Sequence, residues 1–102
     1  MGFEAALGAV LREMRLQRGW TQAHFDGVVS PQYLSDIEFG KRSPSLAVLR
    51  GICDHLGVEL SSVLVLTALS LEELSDSKSI LQRVEKEVQS FTTWRISGRV
   101  TP

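Results

Sequence analysis

Apolar residues recur three and four positions apart through most of the chain, the rhythm of amphipathic helices. Leu7, Val10, Leu11 and Met14 form one stripe in a helix predicted over residues 4–18, with Arg12, Glu13, Arg15 and Arg18 on its other positions and Gly19 closing it. A second, short helix follows from Thr21 to near Gly27. Thr21 suits the N-cap, and Trp20 and Phe25 fit the N′ and N4 positions of a hydrophobic staple, although His24 stands where a capping box needs Glu or Gln. Ser30-Pro31 opens a third helix, because serine caps and proline is favoured where the missing N–H has no partner anyway. Leu34 and Ile37 face inward, Gly40 ends the helix, and a short polar face remains outside.

Ser43-Pro44-Ser45 opens a fourth helix whose inner stripe is Leu46, Leu49, Ile52, Cys53 and Leu56, closed by Gly57. Ser61 or Ser62 caps a fifth. Its run Val63-Leu64-Val65-Leu66, with Ala68 and Leu69, is apolar almost all round, more than one core face requires, and such a surplus marks an interface. Residues 70–77 read as a polar connection, with Leu71–Leu74 able to form a helical turn. A sixth helix over 78–92 carries Leu81, Val84, Val88 and Phe91 at spacings of three, four and three. That seam is about two heptads long, too short for an independent coiled coil. From Arg95 a loose tail is expected. The chain divides into a helical domain over 1–69, a helical extension over 70–94 and a tail over 95–102.

Composition narrows the function. At 102 residues and 43% hydrophobic content the chain builds one packed domain with an appendage. The lone Cys53 excludes an internal disulfide; no Cys/His spacing suits a metal, and Cys53 and His55, two apart on a helix, face different ways. No apolar run reaches the roughly 18 residues of a membrane span, and the first residues lack a basic leader, so a cytoplasmic location is expected. No nucleophile with a base, paired acid/base set or phosphate-cradling loop is present, so an enzyme is not expected, and neither a cofactor nor a small-molecule effector site is legible. The net charge is −1, and residues 1–57 balance Arg12, Arg15, Arg18, Lys41, Arg42 and Arg50 against Glu4, Glu13, Asp26, Asp36, Glu38 and Asp54. A nucleic-acid partner must therefore be met by arrangement of charge rather than by its excess.

Arg15-(x)4-Trp20-Thr21-Gln22, Tyr33-Leu34-Ser35-Asp36-Ile37-Glu38-(x)-Gly40-Lys41-Arg42-(x)-Pro44-Ser45-Leu46 and His55-Leu56-Gly57-Val58 together resemble the phage-repressor/Cro-like (XRE) helix-turn-helix family, over about residues 7–67. The resemblance implies an all-α, five-helix lambda-repressor-like DNA-binding domain, here with an additional C-terminal helix. It implies a homodimer on double-stranded DNA, with the second helix of the motif in the major groove. By position, Gln22 would hold a phosphate and brace Gln32. Pro31, Gln32, Tyr33, Ser35 and Asp36 would form the face toward the bases, where Gln suits an adenine edge and Asp a cytosine amino group. Lys41 and Arg42 would grip phosphates. Arg15 and Glu38 match a structural ion pair. Two departures stand out: the chain is about two residues shorter than the family pattern between Gln22 and Tyr33, and Asp26 falls where a small apolar residue normally packs. Either the turn tightens or the second helix ends early.

The expected function is a transcriptional regulator, a repressor by preference, on a pseudo-palindromic operator. Leu64, Leu81, Val84, Val88 and Phe91 are the expected dimer interface. The alternatives are an antitoxin or restriction-modification controller acting on its own operon, and a protein-interaction module on the same scaffold with little DNA affinity, a reading that Asp36 and the neutral charge balance favour.

Overall fold

The computed structural model of the protein describes residues 2–72 and 77–100, with side chains for 2–72 and 78–92. The described elements are helical: α1 (Phe3–Gln17), a single 3-10 turn (Gln22–Phe25), α2 (Pro31–Glu38), α3 (Leu46–Leu56), α4 (Leu60–Glu72) and α5 (Ser77–Val100). The all-α architecture inferred from the apolar spacing is the one observed. Leu7 and Leu11 from α1, Phe25 from the 3-10 turn, Leu34 and Ile37 from α2, Ile52 and Leu56 from α3 and Val63 from α4 meet in one buried core. Cys53 joins them, and burial, more than the charge of Asp54, pushes its thiol pKa up.

α1 runs across both α2 and α4. Its crossing with α2 depends on Gly8, where a Cβ would collide with the carbonyl oxygen of Ile37 and come within 2.7 Å of that of Glu38. The two backbones touch with no side chain between them. Gly40, at φ 73°, makes a second close approach: a Cβ there would lie 2.9 Å from the Cα of Ala5. The turn after α2 is thereby set against the first turn of α1.

Several boundaries differ from those predicted. The second helix ends after one 3-10 turn, and Thr21 makes no side-chain capping bond. Trp20 and Phe25 still meet edge to face, with ring centroids 6.0 Å apart, and the chain reverses through Gly27 at φ 92°. The early end absorbs the two missing residues and leaves Asp26 exposed beyond the turn instead of buried between helices. α4 starts at Leu60, so Ser61 and Ser62 lie inside its first turn, where the Glu59 carbonyl accepts from the N–H groups of Ser62 and Val63. Residues 73–76 of the expected polar connection lie outside the described residues. α5 continues to Val100, past the expected tail boundary. Gly98 does not stop it, because glycine costs about 1 kcal/mol relative to alanine but keeps its N–H in the ladder.

α4 spends its apolar surplus in two ways. Val63 and Thr67 are fully buried, with the Thr67 hydroxyl donating to the Val63 carbonyl at 2.8 Å. Leu66 and Leu69 line an open groove of about 540 Å³ against Val10 and Met14 of α1. α5 packs on α4 through buried Ile80 and through Arg83, whose Nη2 lies 3.7 Å from Glu72 Oε2.

Gly8→Ala tests the crossing. In an exposed helix interior this change stabilises by up to about 1 kcal/mol. Here overpacking against the α2 backbone should reverse the sign and destabilise by about 1–3 kcal/mol, read as a lower urea midpoint at unchanged slope.

Candidate nucleic-acid interface

α2 is eight residues long, and its two faces have separate chemistry. Ser30 Oγ accepts from the Tyr33 N–H at 3.1 Å, Pro31 fills the first helical position, and Leu34 and Ile37 anchor the inner face. Pro31 and Gln32 are exposed on the other side, with Tyr33, Ser35 and Asp36 half-buried at its edges. Gln32 Nε2 donates to Asp36 Oδ1 at 3.0 Å, one turn along the helix. Because a carboxylate only accepts, this contact fixes which end of the amide faces Asp36. The Gln32 carbonyl and the second Asp36 oxygen remain available as acceptors.

The basic turn folds back onto this face. The N–H groups of Lys41 and Arg42 both donate to the Asp36 carbonyl, at 2.8 and 3.3 Å. The Arg42 guanidinium lies over the Tyr33 ring, 4.2 Å from its centroid, a cation–π contact that holds the charge beside the polar face. Lys41 is exposed next to it.

Behind the face sits a buried ion pair. Arg15 Nε and Nη2 donate to Glu38 Oε2 and Oε1 at 2.7 and 2.8 Å, a bidentate fork, and Arg15 Nη1 donates to the Trp20 carbonyl at 2.8 Å. Gln22 Nε2 completes the set at 3.1 Å from Glu38 Oε1. Arg15 and Glu38 retain only 8% and 4% of their surface, and among the described residues no buried side-chain polar atom lacks a partner. The bond to Glu38 raises the Arg15 pKa against the opposing effect of burial, so this charge is constant across any usable pH.

Each candidate residue can now be located. Pro31, Gln32, Tyr33, Ser35 and Asp36 share one face of α2, and Lys41 and Arg42 flank it. Gln22 braces Glu38 and not Gln32, whose amide is engaged by Asp36. Leu64 on α4 and the seam of Leu81, Val84, Val88 and Phe91 on α5 lie away from the core, and Phe91 is 68% exposed. Two features had no local signature in the sequence. One is the Trp20 carbonyl as the third acceptor for Arg15. The other is a contact between His24, expected only on the surface, and His55.

This is the geometry of a helix-turn-helix protein. The helix-turn-helix family model matches residues 11–63, and the chain belongs to that family, one of regulators and not enzymes. Within it, the transcriptional regulator ClgR of Mycobacterium tuberculosis, from strains CDC 1551 and H37Rv alike, is 41% identical over 61 residues, 58% of this chain and 54% of the relative. The chain thus spans about half the length of these curated relatives. Two crystal structures of the clp gene regulator ClgR from Corynebacterium glutamicum superpose on it. One, 36% identical, has a TM-score of 0.64 and covers 69% of this chain and 94% of its own. The other, 30% identical, has a TM-score of 0.66 and covers 93% and 95%, which takes in most of α5.

Glu38→Ala leaves the Arg15 cation buried without its carboxylate and should cost about 3–5 kcal/mol. The double change Arg15→Met with Glu38→Leu should recover most of that loss. Chemical denaturation of the three proteins checks both.

Proposed function

We propose that the chain is a transcriptional regulator that binds a pseudo-palindromic site on double-stranded DNA as a homodimer, with α2 of each subunit in the major groove. The observation that carries this reading is the exposed face of α2, a hydrogen-bonding surface flanked by the basic turn of Lys41 and Arg42. In this arrangement Gln32 and Asp36 read base edges, Pro31, Tyr33 and Ser35 shape the contact, and Lys41 and Arg42 set register on phosphates. Gln22 reaches a phosphate while its amide remains tied to Glu38. Repression by occupancy of the operator is the simplest mode of action. The likeness to the clp gene regulator ClgR makes DNA upstream of such genes the first candidate site.

Pairing is needed because one head is poorly equipped for DNA. Its charge is balanced, so each subunit contributes few phosphate contacts, and a dimer doubles them. The α5 seam supports pairing: Leu81 and Val88 keep 50% and 57% of their surface exposed. Leu64 adds apolar surface on α4. Two heads joined this way address successive major grooves about 34 Å apart. Residues 1–69 then act as the reading domain and 70–94 as the pairing extension.

A second reading, a protein-interaction module without DNA affinity, is favoured by the Asp36 carboxylate on the same face. Selection of bound sequences from a random DNA pool separates the two and reports half-site symmetry and spacing together. Enrichment of an inverted repeat supports the regulator. No retained DNA at low salt, where phosphate contacts are strongest, excludes it.

Gln32→Ala should weaken binding to the selected site by about 1–3 kcal/mol and leave non-specific affinity nearly intact, measured by titration against matched and scrambled duplexes. Truncation after Ser77 should raise the dimer dissociation constant in sedimentation equilibrium. A truncated chain as tightly paired as the full one would remove α5 as the pairing device.

A further inference from the structure

The fold joins two histidines that are 31 positions apart in the chain: His24 in the 3-10 turn and His55 in the last turn of α3, with His24 Nδ1 2.9 Å from His55 Nε2. Both rings are held. The Trp20 indole stacks on His24 with centroids 3.9 Å apart and 9° between planes, and the buried Phe25 ring lies 4.7 Å from His55. The facing edges of the imidazoles are open to solvent.

We propose that His24 and His55 form a two-imidazole site for a late divalent transition-metal ion, Ni²⁺ or Cu²⁺, with water in the remaining positions. Imidazole nitrogens bind such ions at about 2.0–2.1 Å. Two bonds of that length at a right angle place the nitrogens about 2.9 Å apart, whereas a tetrahedral angle places them about 3.3–3.4 Å apart. The observed 2.9 Å is a hydrogen-bond separation; it brings both nitrogens within reach of one ion, and adjacent positions on a tetragonal ion, Ni²⁺ or Cu²⁺, require the smallest change in that spacing.

The ring that donates in this hydrogen bond changes tautomer on binding: its proton leaves the facing nitrogen and one is taken up from water at its outer nitrogen, so both facing nitrogens present lone pairs and no net proton is released. Each lone pair then turns onto the ion about the broad terminal torsion of histidine. The surrounding charge favours this. His55 lies at the C-terminal end of α3, where the helix dipole attracts a cation, and exposed Asp54 precedes it. The charge acting against it is Arg18, stacked over the Trp20 ring 5.6 Å from the centroid. Among the described residues no third His, Cys, Asp or Glu joins the pair, so the affinity is that of a two-point chelate. The ion would fasten the 3-10 turn, which also contacts α2, to the end of α3.

The test uses the full chain with Trp94→Phe, so that Trp20 is the one remaining tryptophan. Titration with NiCl₂ and with CuCl₂ should quench its fluorescence to a plateau at one ion per chain. The thermal midpoint should rise with ion concentration, as binding to the folded state alone requires. His24→Gln and His55→Gln should each raise the apparent Kd by about ten-fold or more, since even losing a hydrogen-bond partner of a ligating imidazole costs that much. Both should also abolish the midpoint shift. Should a glutamine variant not fold, His55→Phe keeps a ring against Phe25 and should carry the same loss. Equal titration of the parent and the histidine variants, or quenching without a plateau, means an adventitious ion only and overturns the site. Tighter binding of Zn²⁺ than of Ni²⁺ overturns the right-angle geometry on which the choice of ion rests. DNA binding is not an input to any of these readouts.

Discussion

The Arg15–Glu38 pair is the constraint on which the head of this molecule depends. Its guanidinium reaches three elements at once: its own α1, the Trp20 carbonyl at the entry to the 3-10 turn, and the end of α2 through Glu38. One 3-10 turn offers little surface to pack, with Phe25 as its single buried side chain. Hydrogen bonds from Arg15 and Gln22 supply the direction that apolar contact alone cannot, since apolar burial is indifferent to orientation. A buried charge pair of this kind contributes little net stability over a well-packed apolar substitute. Its contribution here is geometric, in fixing α2 relative to the turn before it.

The outer face of α2 has the opposite character. Its polar groups are organised by neighbours within ten positions of the chain: Asp36 orients the Gln32 amide, its carbonyl gathers the N–H groups of Lys41 and Arg42, and Tyr33 carries the Arg42 guanidinium. On the proposed reading this order matters more than charge. A head with as many acidic as basic residues gains little from counterion release and must discriminate through preset hydrogen-bond geometry.

The sequence carried this fold well where a physical rule is local. The stripe of Leu7 and Leu11, the Ser30-Pro31 and Ser45 starts and the Gly57 stop follow from spacing and capping alone, and each occurs in the structure. The Thr21 start, short of a full capping box at His24, makes no capping bond, and the element it begins is a single 3-10 turn. The missing residues before Tyr33 and the misplaced Asp26 were the signs of that shortening. They left open whether the turn or the helix had contracted. The contacts among the polar side chains were less legible. Gln22 bonding Glu38 and His24 meeting His55 join residues 16 and 31 positions apart, and no periodicity encodes such a meeting. α5 outran its predicted end because scarce apolar residues and Gly98 weaken a helix without stopping it.

The crossing at Gly8 also limits how this molecule can respond to a signal. Side chains between two helices can change rotamer and repack, which lets one helix shift slightly on the other. At Gly8 no such side chain intervenes, and at Gly40 the turn after α2 is seated just as closely on Ala5. α2 is therefore seated on α1 by direct backbone contact, and α1 in turn lies on α4. Adjustment is left to the outer end of the molecule, where α5 meets α4 through Ile80 and a surface ion pair. In the proposed dimer a regulatory input would have most purchase there, changing how far apart or at what angle two intact heads are held while each head keeps its shape.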